Sequence, residues 1–420
     1  MSPVRPSVQV VGRRLDPEDY RLRDFLTRIA QPHDWVEAGS DEASQLLGGL
    51  GLIDPALPVL VDGTAVYTAA TVETIAAAWH HLDPPKRSAY DLVIIGAGPA
   101  GLAAAVYAAS DGLSTIVLEH DVPGGQASHT SLIENFFGFP EGIGGAELAR
   151  LAGRQAERFG AEVMVLRGAL GSRIDGERLV VRLDGGLEVE THIVISATGM
   201  DWRRLELEGV DDLLGRGVYY GAGRSEAAQC GGDEVVVVGA GNSAGQAVMN
   251  LAKAGARVKM LVRGDRLATS MSHYLVERIE SHPLVDVRLR TEVTGVHADG
   301  GHLAAVTFSD DGGASETVRA TALFLCIGGR PHTAWCPSEG VVTDRAGFIL
   351  TGPDLLDGGT RPECWTLDRD PLALETSRPG LFAAGDVRHG STKRVAGAVG
   401  EGAMAAALAF HRLNELGLGT

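Results

Sequence analysis

A chain of 420 residues, 45% apolar and 22% charged, is long enough for about two to four globular domains. Its 37 basic residues stand against 54 acidic ones, a formal charge of −17. That surplus repels phosphate backbones, so no nucleic-acid partner is expected. The four cysteines, Cys230, Cys326, Cys336 and Cys364, form no CxxC pair, which excludes a disulfide framework or a cysteine zinc site; no metal is expected. The opening MSPVRPSVQVVGRRLDPEDY lacks an apolar signal core, and no apolar run reaches the ~18 residues of a membrane span. A cytoplasmic protein with no membrane partner is expected. The 56 glycines favour an α/β chain with many tight strand-to-helix turns.

In chain order, VQVVG (8–12) reads as a strand. DPEDYRLRDFLTRIA (16–30) reads as a helix, with an acidic, proline-containing start and apolar residues at Leu22, Phe25, Leu26 and Ile29. DWVEA is a second strand and DEASQLLGGLG a second helix. LPVLVDGTAVY supplies two short strands about an Asp62-Gly63 turn, and TVETIAAAWHHL closes with a helix. This βαβαββα order resembles the thioredoxin or glutaredoxin fold, with Pro58 at that fold's cis-proline position. The fold's CxxC would fall near Arg14 to Glu18, where there is no cysteine. Residues 1–82 therefore read either as a redox-dead docking or dimer module or as a structural appendage. Residues 83–89, within the proline-rich LDPPKRSA, read as a linker.

YDLVIIGAGPAGLAAAVYAASDGLSTIVLE (90–119) is a buried strand, a glycine turn, a helix and a strand ending in an acid. Gly96, Gly98 and Gly101 form GxGxxG in the context a dinucleotide site needs. Gly96 permits the turn, Gly98 lets the backbone approach a pyrophosphate, and Gly101 lets the helix pack on the strand. The helix N-terminus offers N–H groups to phosphate, and Glu119 can accept ribose hydroxyl hydrogens. Residues beyond this unit favour FAD. Gly124-Gly125-Gln126 and Glu134-Asn135 come soon after the acid, and PGLFAAGD near the C-terminus ends in Gly385-Asp386, where an aspartate suits a ribityl hydroxyl. A helix starting near Arg394, Val395 and Ala396 would aim its N-terminus at the flavin edge that gains charge on reduction.

EVVVVGAGNSAGQAVMNLAKAGARVKMLVR (234–263) repeats the pattern, with Gly239, Gly241 and Ala244 as GxGxxA and Ser243 within the turn. Its second strand ends not in an acid but in Arg263, with Arg266 close behind. A guanidinium suits a 2′-phosphate, so NADPH is favoured and NADH stays possible.

GAGPAG (96–101), Glu119, GGQ (124–126), EN (134–135), SATG (196–199), GAGNSA (239–244), the GGRP turn at 328–331 and GD (385–386), in that order, resemble the low-molecular-weight thioredoxin reductase family of flavoproteins. The resemblance covers Tyr90 to the C-terminus. It implies an α/β architecture of two Rossmann-like dinucleotide-binding domains, the FAD domain (90–204 and 322–420) being split by an inserted NAD(P)H domain (205–321). It also implies a homodimer, and a rotation that presents nicotinamide and disulfide to the flavin in turn. Where the family carries CxxC after a strand, this chain has Gly221-Ala222-Gly223-Arg224. Dithiol exchange needs a thiolate, so Gly221 and Arg224 mark a degenerate redox site and no catalytic residue is assigned. The expected activity is hydride transfer from NADPH or NADH to flavin, and onward to a small-molecule or protein acceptor other than an internal disulfide. Two alternatives stay open: a ferredoxin–NADP reductase-like electron carrier, which the short segment after the last helix disfavours, and a non-turnover FAD-binding regulatory or partner protein.

Overall fold

The computed structural model describes residues 6–130, 132–176, 178–221, 227, 229–269, 271–336 and 341–418. The N-terminal unit has the expected order of elements. Its four-stranded sheet runs His33–Glu37, Val8–Gly12, Val59–Asp62, Ala65–Tyr67, the first pair parallel and the others antiparallel. The first helix, Pro17–Arg28, starts where the sequence places it: the Asp16 side chain accepts from the backbone N–H of Glu18 and Asp19, with Pro17 in the first turn. The Leu57–Pro58 peptide is cis. Val8, Val10, Leu22, Phe25, Leu26, Leu60 and Ile75 form the core beneath the sheet.

The second unit is built on a parallel sheet in the order Leu381–Ala383, Ile193–Ser196, Leu92–Ile95, Thr115–Leu118, Glu162–Met164. The first four of these strands are buried throughout, as a parallel sheet covered on both faces requires. The edge strand Leu381–Ala383 comes from the far end of the chain, so the unit is assembled from two separated segments. Helices Pro99–Ser110 and Val395–Glu415 pack so closely that a Cβ at Gly402 would lie 2.0 Å from the Ala100 carbonyl oxygen.

The inserted unit carries a second parallel sheet, Val218–Tyr220, Ala322–Leu325, Glu234–Val238, Arg257–Val262, Val285–Leu289. One boundary differs from expectation. Ala322–Leu325, assigned from sequence to the returning FAD segment, pairs on both sides within this second sheet. By this pairing the second sheet extends through Leu325, four residues beyond Thr321. The exit and return segments, Met200–Trp202 and Gly329–Pro331, form a two-stranded antiparallel ribbon. Two three-stranded antiparallel sheets span 169–191 and 291–319. Among the described residues, no helix is long and apolar enough to cross a membrane, and no cluster of three or more His, Cys, Asp or Glu could hold a metal.

Gly402→Ala forces the two long helices apart and should cost about 1–3 kcal/mol. Gly400→Ala, on the same helix with nothing within 4 Å of its added Cβ, should instead stabilise by up to about 1 kcal/mol. Urea unfolding of the two variants checks the contrast.

Candidate functional site

The carboxyl end of the first parallel sheet, the strand Val218–Tyr220 and the start of helix Asn242–Lys253 line one cleft of about 1020 Å³, and the carboxyl end of an open α/β sheet is where such folds bind ligands. At the first glycine turn the three glycines play three separate roles. Gly96 has φ +100°, and a Cβ there would lie 2.4 Å from the Ala197 carbonyl oxygen. Gly101 sits behind the turn, where a Cβ would fall 1.8 Å from the Gly96 carbonyl oxygen. Gly98 faces the cleft, with nothing within 4 Å of its would-be Cβ. It is the N-cap of helix Pro99–Ser110 and no side chain caps that helix. Its first N–H groups thus keep their donor capacity for a ligand phosphate.

Glu119 lies at the end of the next strand, buried. One carboxylate oxygen accepts from the backbone N–H of Ala97 at 2.7 Å, the other from that of Asp121 at 2.9 Å. A carboxylate has about four acceptor positions, so with the His120 bond as a third, about one remains for a ribose hydroxyl. His120 Nδ1 lies 3.1 Å from Glu119, and that hydrogen bond raises the His120 pKa above the ordinary histidine value.

Gly125, Gln126 and Asn135 line the same cleft. A Cβ at Gly125 would stand 3.6 Å from Gly98 Cα, so this second glycine loop lies across the phosphate turn. Gln126 Nε2 donates to the Met200 carbonyl at 2.6 Å. From the far end of the chain come Gly385, Asp386, Arg394, Val395 and Ala396. Gly385 N–H donates to Glu401 at 2.7 Å, and Glu401 is itself held by Arg388 at 2.7 Å. Burial pushes the Asp386 carboxyl up from its ordinary value. Helix Val395–Glu415 begins at Arg394 with no side-chain cap, leaving a second set of N–H groups directed at the cleft. An open cradle, an acceptor-only carboxylate and two uncapped helix ends fit FAD.

The second fingerprint has the same division of roles. Gly239, at φ +138°, would place a Cβ 2.3 Å from the Cys326 carbonyl oxygen; Gly241 faces open space; Ala244 is fully buried behind the turn. Helix Asn242–Lys253 is uncapped, and Ser243 lines the shared cleft. These residues fit a second dinucleotide. Arg263 and Arg266 do not line that cleft. Arg263 follows strand Arg257–Val262, 82% exposed and 4.0 Å from Glu292, and Arg266 pairs with Asp265 at 3.3 Å.

Gly221, at φ +79°, follows strand Val218–Tyr220 and donates its N–H to the Leu325 carbonyl at 3.1 Å. A Cβ there would stand 3.6 Å from His129 Cβ and from the Trp202 ring. Arg224 lies outside the described residues. None of the four cysteines is joined in a disulfide. Burial pushes Cys326 and Cys336 up to about 12, so neither is a thiolate at neutral pH. Cleft residues that sequence reasoning missed include Tyr20 and Arg28 from the N-terminal unit, His129, Trp202 and Asn242. Asn242 sits inside the quoted glycine motif and could have been found. The others carry no local signal.

Gly98→Leu should leave the melting temperature unchanged and weaken FAD binding by more than about tenfold, since its side chain fills the phosphate space. Gly96→Ala should instead lower stability, by on the order of 1–3 kcal/mol, through a strained backbone. Thermal melts with and without FAD separate the two. The stabilisation from protonated His120 is complete below the ordinary histidine value of 6.5 and is lost as pH rises through its higher folded value. His120→Gln should flatten that part of the melting-temperature profile.

Residues 90–402 match the pyridine nucleotide-disulphide oxidoreductase family. The chain is 34% identical over 329 residues to a thioredoxin reductase of Bacillus subtilis, covering 78% of this chain and 96% of that protein. It is 34% identical over 343 residues to one of Schizosaccharomyces pombe, covering 77% and 97%. Among solved structures, the thioredoxin reductase of T. acidophilum matches with TM-score 0.68 at 26% identity, over 79% of this chain and all of that one. That of Lactococcus lactis in its FR conformation also matches with TM-score 0.68, at 29% identity over 78% and 99%. With two uncapped glycine-turn helices opening on one cleft, the chain belongs to the pyridine nucleotide-disulphide oxidoreductase family as a thioredoxin reductase-like, flavin-dependent NAD(P)H oxidoreductase.

Proposed function

We propose that this enzyme passes hydride from NADPH to FAD and then reduces an acceptor other than an internal CxxC disulfide. One observation carries the reading: no two of Cys230, Cys326, Cys336 and Cys364 are spaced as CxxC, and glycine stands at Gly221 directly after the strand Val218–Tyr220. Bound FAD would supply the two-electron chemistry between nicotinamide and acceptor. The chain's own residues bind and orient. The Gly98 and Gly241 turns would each hold a pyrophosphate, Glu119 and Asp386 would take ribose and ribityl hydroxyls, and the N-terminus of helix Val395–Glu415 would oppose negative charge at the flavin. Ser243 on the cleft wall supports a nicotinamide that reaches the flavin side.

The nicotinamide preference is proposed as NADPH, on Arg263 and Arg266 at the carboxyl end of the second sheet. Their pairing with Glu292 and Asp265 makes the clamp weak, which leaves NADH as a slower donor. A cytoplasmic homodimer is proposed as well; exposed Tyr107, Leu151 and Met404 on the long helices of the FAD unit support an apolar subunit contact.

Anaerobic titration followed by the flavin spectrum tests the reading. NADPH should bleach the flavin stoichiometrically. Turnover should follow with quinone or other small acceptors and not with thioredoxin disulfide. If neither NADPH nor NADH reduces the flavin, the chain is an FAD-binding partner protein instead. Arg263→Ala should raise KM for NADPH and leave that for NADH unchanged.

A further inference from the structure

We propose that the N-terminal unit is a built-in wall of the flavin cleft, with Arg28 as the residue that positions the 124–126 glycine loop across the phosphate-binding turn. The inference rests on the flavin site alone and is independent of the acceptor.

Arg28 ends the first helix, and its side chain is only 10% exposed. A buried guanidinium needs acceptors on most of its donors, and here it finds them mainly outside its own unit. Nη1 lies 2.6 Å from Asp121, two residues past the ribose-binding candidate Glu119, and Nε donates to Ser128 Oγ at 3.0 Å. Within its own unit it reaches Asp24 at 3.5 Å. Ser128 Oγ in turn donates to the Gly125 carbonyl at 2.7 Å, and Gly125 faces Gly98. A continuous relay therefore runs from the N-terminal helix through Arg28 and Ser128 to the loop opposite the phosphate turn.

The apolar contacts agree. Val122, from the loop between Asp121 and Gly124, is fully buried in the N-terminal unit's own core beside Val8, Leu22 and Trp79. That loop is held by the buried Val122 side chain and, through Asp121, by the guanidinium. Nearer the start of the same helix, Tyr20 packs on Tyr219 with ring centroids 5.2 Å apart, and Arg14, just before it, pairs with Asp233 at 3.2 Å. The corner where a thioredoxin would carry its redox pair is thus spent on internal contacts. Both Tyr20 and Arg28 line the cleft itself. An appendage tethered by a linker has no reason to send a buried cation into its neighbour's ligand site.

The test uses full-length protein and measures FAD dissociation by flavin fluorescence, alongside apo-protein melting. Arg28→Met should weaken FAD binding by about tenfold, the scale of a lost charged hydrogen bond. Arg28→Lys should fall between, keeping the charge and losing the fork. Ser128→Ala cuts the relay without removing a charge, and should weaken FAD severalfold with a smaller loss of melting temperature than Arg28→Met, so a folding defect in Arg28→Met does not decide the result. Arg21→Ala, on the exposed face of the same helix, should bind FAD as wild type does. Wild-type FAD affinity in both Arg28→Met and Ser128→Ala would overturn the proposal.

Discussion

Everything in the cleft depends on how closely a helix can approach the strand before it. At the first fingerprint the approach is so tight that a single added carbon at Gly96 or Gly101 would overlap a backbone carbonyl oxygen. The second fingerprint reproduces this with Gly239 against Cys326. Only that proximity lets uncapped N–H groups converge at the end of a parallel sheet, where an anion can meet several at once. The same tightness lets the C-terminal helix lie on the first one through Gly402, which brings a second uncapped helix end to the cleft. The cofactor site is in this sense a packing result: small residues where backbones meet, and an open glycine where the ligand goes.

This geometry also accounts for the sharing of one cleft by two sheets. The inserted unit is joined to the flavin unit by the ribbon of Met200–Trp202 and Gly329–Pro331. Further ties reinforce the arrangement. Arg278 of the inserted unit holds Glu134 at 2.8 Å, next to Asn135. The N-terminal unit touches the inserted unit through Tyr20 and Arg14 and the flavin unit through Arg28.

Much of this was legible in the sequence because it is written locally. Strand, turn and helix at 90–119 and at 234–263 lie within short windows, and the βαβαββα order of the first unit comes from periodicity and turn residues. The end of the insertion is not legible locally, because the apolar run ALFL at 322–325 does not say which sheet it joins. Its two neighbours in space, Val218–Tyr220 and Glu234–Val238, are far away in sequence. The arginines chosen for a 2′-phosphate stand at the expected strand end, and their acidic neighbours Asp265 and Glu292 qualify that choice.

The sequence by itself determined the family, the two glycine turns with Glu119 and Asp386, and the lack of a CxxC pair, because each is a matter of residue identity over a few positions. Only the tertiary structure decided that Arg28 and Tyr20, which read as ordinary helix residues, belong to the cleft. The partners of Arg28, Asp121 and Ser128, lie 93 and 100 residues away in sequence, and Tyr219, the partner of Tyr20, lies farther still. No local periodicity encodes which surface a folded unit will cover.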